Sequence, residues 1–250
     1  MILRRAVPLS TALSIISTLV RLASALLLGL VASPIAAQSY QCSVTGAVDL
    51  PRVAPDGPAR RLPVTGYTLA MSWSPEFCRG RETSPPNARQ CSGQAGRFGM
   101  VIHGLWPESG RSWPQWCPAK SPLSTEAVRP NLCLSPSASL VAKQWAKHGS
   151  CMARHPETYF RVTRILWNGL RIPDFDRISR EEGLTAGIIR TRFVDANPGW
   201  RSEAVGVHLN RRGWLEEIQL CYDRRFMPST CDRMRHGESD SAPARIWRGL

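Results

Sequence analysis

No two cysteines in this 250-residue sequence are spaced as Cys-x-x-Cys, and no histidines as His-x-x-x-His or His-Glu-x-x-His. That excludes the common zinc frameworks, and no metal or other cofactor is expected. Acidic residues are scarce, 19 against 32 lysines and arginines, so the formal charge is +13. A surplus of that size attracts polyanions at long range without saying which. There are no internal repeats. Beyond residue 37 no stretch is long and apolar enough to cross a bilayer.

Residues 1–37 read as an export signal. Arg4 and Arg5 give a positive start, Leu22 to Ala32 an apolar core, and Ala36-Ala37 a small-residue cut before Gln38. Arg21 interrupts the apolar run and argues against a membrane span. Removal takes away three arginines and no acid, leaving +10 and no membrane attachment. The product is expected to be periplasmic or secreted, and monomeric. All eight cysteines lie beyond the signal, and an even count in an exported chain reads as four disulfides. Spacing suggests Cys78–Cys91 and Cys221–Cys231. For Cys42, Cys117, Cys133 and Cys151 counting leaves the choice open.

One domain is expected from Gln38 to Cys231, followed by a flexible tail, 232–250, that lacks periodicity. Asp49 to Pro63 looks like a surface excursion. Gly66 to Trp73 and Arg97 to Ile102 have the character of strands, the second feeding into His103. Glu108 to Arg129 reads as loop with a turn of helix. Ser137 can cap a helix over Ala138–His148 that stops at Gly149. On it Leu140, Val141 and Trp145 suit the core, while Lys143, Gln144, Lys147 and His148 fall on an opposite, exposed strip. Helices are also expected over Glu157–Leu170 and Thr185–Ala196. Strands Ala204–Leu209 and Trp214–Tyr222 flank Asn210-Arg211-Arg212-Gly213, a hairpin by composition. Strands at both ends and helices between imply an α+β fold.

Only five histidines are present, yet two sit in similar islands. Met100-Val101-Ile102-His103-Gly104-Leu105-Trp106-Pro107 is the first; Gln144-Trp145-Ala146-Lys147-His148-Gly149-Ser150-Cys151 is the second. Two imidazoles and a cation are the minimum for phosphoryl transfer without a metal. One ring takes a proton, the other supplies one, and the lysine offsets the growing charge. RNA brings its own nucleophile, the 2′-hydroxyl, so such a site can cut RNA while DNA resists. Histidine suits both tasks because its ordinary pKa of about 6.5 lets both forms exist near neutrality. His155, His208 and His236 read as structural.

The two islands resemble, in order and separation, the active-site segments of the ribonuclease T2 family. Leu69-Ala70-Met71-Ser72-Trp73-Ser74-Pro75-Glu76-Phe77-Cys78 is similar to that family's first core strand, and Ile218-Gln219-Leu220-Cys221 extends the likeness. The resemblance implies an antiparallel β-sheet flanked by helices. It implies a metal-independent endoribonuclease that cleaves single-stranded RNA through a 2′,3′-cyclic phosphate to 3′-phosphate ends, with low base specificity. His148 would then be the general base, His103 the general acid and Lys147 the stabiliser of the transition state. Trp106 would stack a base, Glu108 would read one, and Trp113 or Trp116 would supply the opposite face. The resemblance also pairs Cys117 with Cys151, which leaves Cys42 to Cys133.

Two departures stand out. The family's second segment opens His-Glu-Trp, whereas here it opens Lys143-Gln144-Trp145. Gln144 keeps the shape and a hydrogen bond but not the charge, and Lys143 can still bind phosphate as a point charge. Reduced but real turnover is the expectation; the alternative is a catalytically weakened relative acting as a basic RNA-binding or inhibitory protein. Ser72 stands where many relatives have glutamine, so nothing fixes the base preference.

Overall fold

The computed structural model describes residues 39–40 and 42–249. The export signal expected over residues 1–37 therefore lies outside the described residues. The fold is α+β, with an antiparallel sheet flanked by helices. Strands β1 (Ser39–Tyr40) and β3 (Arg97–Phe98) make a short two-stranded ribbon. The main sheet holds β2 (Gly66–Trp73), β4 (Met100–Glu108), β5 (Val205–Leu209) and β6 (Leu215–Asp223) in the order β4-β2-β6-β5. The three longer helices are α1 (Ala138–Lys147), α2 (Pro156–Asn168) and α3 (Ala186–Ala196).

Local chemistry sets most of these boundaries. The side chains of Ser137 and Thr185 accept hydrogen bonds from the backbone N–H groups of Leu140 and Ile188, capping α1 and α3. Pro156 occupies the first turn of α2, where a missing N–H costs nothing. Asn210 accepts from the backbone of Arg212 and Trp214 through Oδ1, and Gly213 takes a positive φ of 77°, closing the expected hairpin. Strand β4 runs on past the expected end at Ile102 to Glu108. Pro107 is tolerated there because β4 is a sheet edge and spends no central ladder bond.

Cross-strand partners share a face of the sheet, and the two faces differ sharply. Leu69, Met71 and Trp73 of β2, with Leu105, Met100, Ile218 and Leu220 beside them, point into the core with Tyr159, Trp167, Ile189 and Phe193. Thr68, Ala70 and Ser72, with Trp106, Gln219, Glu217 and His208, make the opposite face. Four disulfides pin the loops: Cys42–Cys133, Cys78–Cys91, Cys117–Cys151 and Cys221–Cys231. Among the described residues no helix is long and apolar enough to cross a membrane.

The expectation of a loose tail over 232–250 needs correction. Residues Arg233–His236 form a helical turn capped by Asp232, and later residues bridge to Thr185, Val207 and Trp214. Ala244 and Ile246 are buried, and the indole N–H of Trp73 donates to the backbone oxygen of Trp247 at 2.6 Å. The anchor is Arg190 of α3, whose side chain is fully buried. It donates to the backbone oxygens of Val205, His236 and Glu238 and to Asp240. A segment without periodicity can thus be fixed by polar contacts that no hydrophobic pattern announces. Truncation after Cys231 should remove three of the four partners of Arg190 (His236, Glu238 and Asp240) together with the buried Ala244 and Ile246, destabilising the fold by about 3–5 kcal/mol. Urea unfolding of the truncated and full chains would measure it; equal midpoints would mean that the tail is not held by Arg190.

Candidate active site

The register between β2 and β4 slips at one place. Ala70 pairs with Gly104 and Met71 with Ile102, so His103 is an extra residue without a partner on β2. Such a bulge re-aims a side chain. Without it, the alternation that puts Gly104 and Trp106 on the open face would turn His103 into the core. Its Nδ1 instead lies 2.6 Å from Oε2 of Glu217 on β6.

The second histidine comes from α1. Gln144 of that helix presses on Gly104, where any Cβ would overlap both Gln144 and Trp106. The indole N–H of Trp106 donates to Oε1 of Gln144 at 2.8 Å. This close approach brings His148, at the C-terminal end of α1, beside Trp106. The ring centroid of Trp106 is 5.1 Å from that of His103 and 5.7 Å from that of His148, so both imidazoles pack around the same indole. Both rings, with Trp106, Glu108, Trp113, Lys143, Gln144 and Lys147, line one cavity of about 530 Å³.

Lys143 and Lys147 lie on the accessible strip expected of them, but Gln144 and His148 do not. Each is less than a tenth exposed, because β4 covers that side of α1. Burial, with Lys147 and His103 close by, pushes the pKa of His148 down to about 3. The ring is therefore neutral over the ordinary pH range, the form that accepts a proton. The lysines are not free either. Asp56, in the 49–63 excursion, reaches Lys143 at 2.8 Å and Lys147 at 2.9 Å and accepts from the indole of Trp116 at 3.2 Å. Hydrogen bonds from the two lysines hold its carboxyl well below the usual carboxylate range. The Asp56 side chain is 39% exposed, so water and salt screen these pairs and an incoming anion can compete for either lysine.

Glu108, expected to read a base, is buried and paired with Arg235 from the tail. Burial raises its pKa despite the guanidinium. Any base reaching this wall meets the pair, not a lone carboxylate. Trp113 faces the cavity with Arg60 stacked 4.6 Å from its ring centroid. Trp116 is buried and points at Asp56 instead. Glu217, Asp56, Arg235 and Gln219 were not singled out by the sequence. Glu217 and Gln219 look like ordinary alternating strand residues, and Asp56 and Arg235 lie in segments without a pattern.

A family model described as the Ribonuclease T2 family matches residues 65–176, a span that holds both histidine islands. Over that span the chain matches the ribonuclease T2 family. Curated proteins named as ribonucleases are similar to the chain as well. A probable ribonuclease of Haemophilus influenzae is 29% identical over 186 residues, 70% of this chain and 64% of that protein. A ribonuclease of Aeromonas hydrophila is 39% identical over 85 residues, 34% of this chain and 36% of its own. The match thus spans less than two thirds of either relative. Among solved structures, the S-like ribonuclease trichomaglin superposes with a TM-score of 0.56 at 20% identity, covering 74% of this chain and 98% of that one. An RNase-related protein from Calystegia sepium gives 0.53 at 24% identity, covering 68% and 93%. At those identities the likeness concerns the T2 fold alone.

Gly104→Ala tests the packing that assembles the site. It should cost about 1–3 kcal/mol through overpacking and shift Trp106 against the two histidines. Thermal unfolding and RNA cleavage should fall together; a variant as stable and active as the parent would show that α1 does not rely on this contact.

Proposed function

We propose that this chain is an exported, metal-independent endoribonuclease acting on single-stranded RNA. The observation that carries the reading is the meeting of His103, His148 and Lys147 around Trp106 in one cavity. His148, held neutral by burial, takes the proton of the 2′-hydroxyl. The freed oxygen attacks phosphorus, and the 5′-oxygen leaves with a proton from His103. A 2′,3′-cyclic phosphate and a 5′-hydroxyl result. Water then opens the ring with the two roles reversed, leaving a 3′-phosphate. Lys147 offsets the charge on the phosphoryl oxygens once phosphate displaces Asp56 from it. DNA has no 2′-hydroxyl and stays intact. Trp106 and Trp113 offer aromatic faces to any base, which agrees with low base specificity. The four disulfides are consistent with export, through a signal over residues 1–37 to the periplasm or beyond, as a monomer.

A second reading is favoured by Asp56, which engages both lysines, and by Gln144 in a place where the family carries an acid. It is a weakened relative that holds RNA without cutting it. Homopolymer RNA in excess chelator separates the two. Cyclic phosphate ends that disappear in His148→Ala are expected; RNA retarded in a gel yet left whole would favour the second reading.

The pH profile is a further check. An ordinary imidazole, with a pKa of about 6.5, would keep only about 3% of its neutral form at pH 5. His148, lowered to about 3, stays neutral there, so the loss of the base form begins only as pH falls toward that value. kcat/KM should therefore not fall between pH 7 and pH 5, since the base stays neutral and the acid form of His103 only gains. An acid limb centred near 6.5 would contradict the assignment of a buried neutral base.

A further inference from the structure

We infer that Glu217 is the positioning residue that fixes the ring of His103, an assignment that rests on the reading of His103 as general acid. His103 stands on β4 and Glu217 on β6, with β2 between them. Their backbones are therefore two strand spacings apart, roughly 10 Å. The two side chains can meet only if β2 leaves the gap open. At this level β2 carries Ala70 and Ser72, opposite Gln219 and Glu217, and neither is large enough to intervene. The bulge supplies the other condition, because it turns His103 onto that same face.

Both oxygens of the carboxylate are engaged. Oε2 meets Nδ1 of His103 at 2.6 Å, and Oε1 accepts from Nε2 of Gln219 at 2.7 Å. The side chain is 15% exposed, against 35% for His103. Burial opposes the ionised form of Glu217. The hydrogen bond and charge of His103, the donation from Gln219 and the nearness of His208 outweigh it and lower its pKa. An ionised carboxylate only accepts hydrogen bonds, so Nδ1 of His103 must carry the proton. Nε2 is left to meet the leaving oxygen. His208, directly opposite Glu217 on β5, does not compete, since its Nε2 is taken up by the backbone oxygen of Arg235 at 3.0 Å. Without the carboxylate the ring can rotate or adopt the other tautomer, which presents the wrong nitrogen.

The test compares the full, disulfide-bonded protein with Glu217→Gln and Glu217→Asp. Cleavage of a dinucleoside monophosphate gives kcat and KM, and ¹⁵N NMR of the imidazoles gives the proton on His103. In the parent, Nδ1 should stay protonated across the titration. Glu217→Gln should mix the tautomers and lower kcat about 10- to 100-fold while KM stays within about threefold. Glu217→Asp should recover part of kcat. A folded Glu217→Gln variant with kcat within twofold, a loss confined to KM, or a bare Nδ1 in the parent would each overturn the assignment. A parent that cuts no RNA would overturn the functional reading alone, because the NMR arm still decides whether Glu217 sets the ring. That arm needs only the parent, so a variant that fails to fold leaves the assignment open to refutation.

Discussion

Strand β4 carries one residue more than the strand it pairs with, and the surplus residue is His103. Its neighbour Gly104 has no side chain, so Gln144 of α1 can lie directly against the strand. These two facts are one constraint. The bulge turns the first histidine out of the core, and the bare backbone beside it lets the helix that bears the second come close. Trp106, two residues along, touches both rings and is tied to Gln144. A larger residue at 104 would displace the Gln144 amide and the Trp106 indole that now meet over the bare backbone. The core face of the sheet, packed with Leu69, Met71, Ile218 and Leu220, gives this arrangement a rigid floor.

The charge around the cavity differs from the charge of the chain. Overall the sequence is strongly basic, but each cation lining the cavity already has an acid beside it: Asp56 for Lys143 and Lys147, Glu108 and Asp232 for Arg235. The cations are thus pre-oriented without the cavity becoming a general anion sink. The partners are not equally committed. Asp56 is half in water and can be exchanged for a phosphate, whereas Glu108 and Arg235 are both largely buried and act as a wall.

Much of this was legible in the sequence. Ser137, Val141 and Trp145 mark α1 by cap and period, and the turn at Asn210–Gly213 marks its hairpin. The close cysteine pairs follow from spacing alone. His103, Lys147 and His148, given roles from the sequence, lie with Gln144 along one cavity. Legibility ended where the cause was a register or a lone polar contact. Glu217 reads as an unremarkable strand acid, because only the slip at His103 and the small residues of β2 bring the two together. The helical period put Lys143 and Lys147 correctly but could not show that a strand lies over Gln144 and His148. The end of the chain looked loose because its hold is Arg190, one side chain far away in sequence, and not a hydrophobic stripe.

The bridge between Cys117 and Cys151 joins the segment carrying Trp113 to the turn just past His148. Two walls of the cavity are thereby fastened to each other by a bond that forms only where thiols can be oxidised. A chain still in a reducing compartment lacks that fastening at the spot where the buried imidazole sits. Maturation of the cavity is therefore coupled to the redox surroundings, and the oxidant that closes the bridge also completes the pocket.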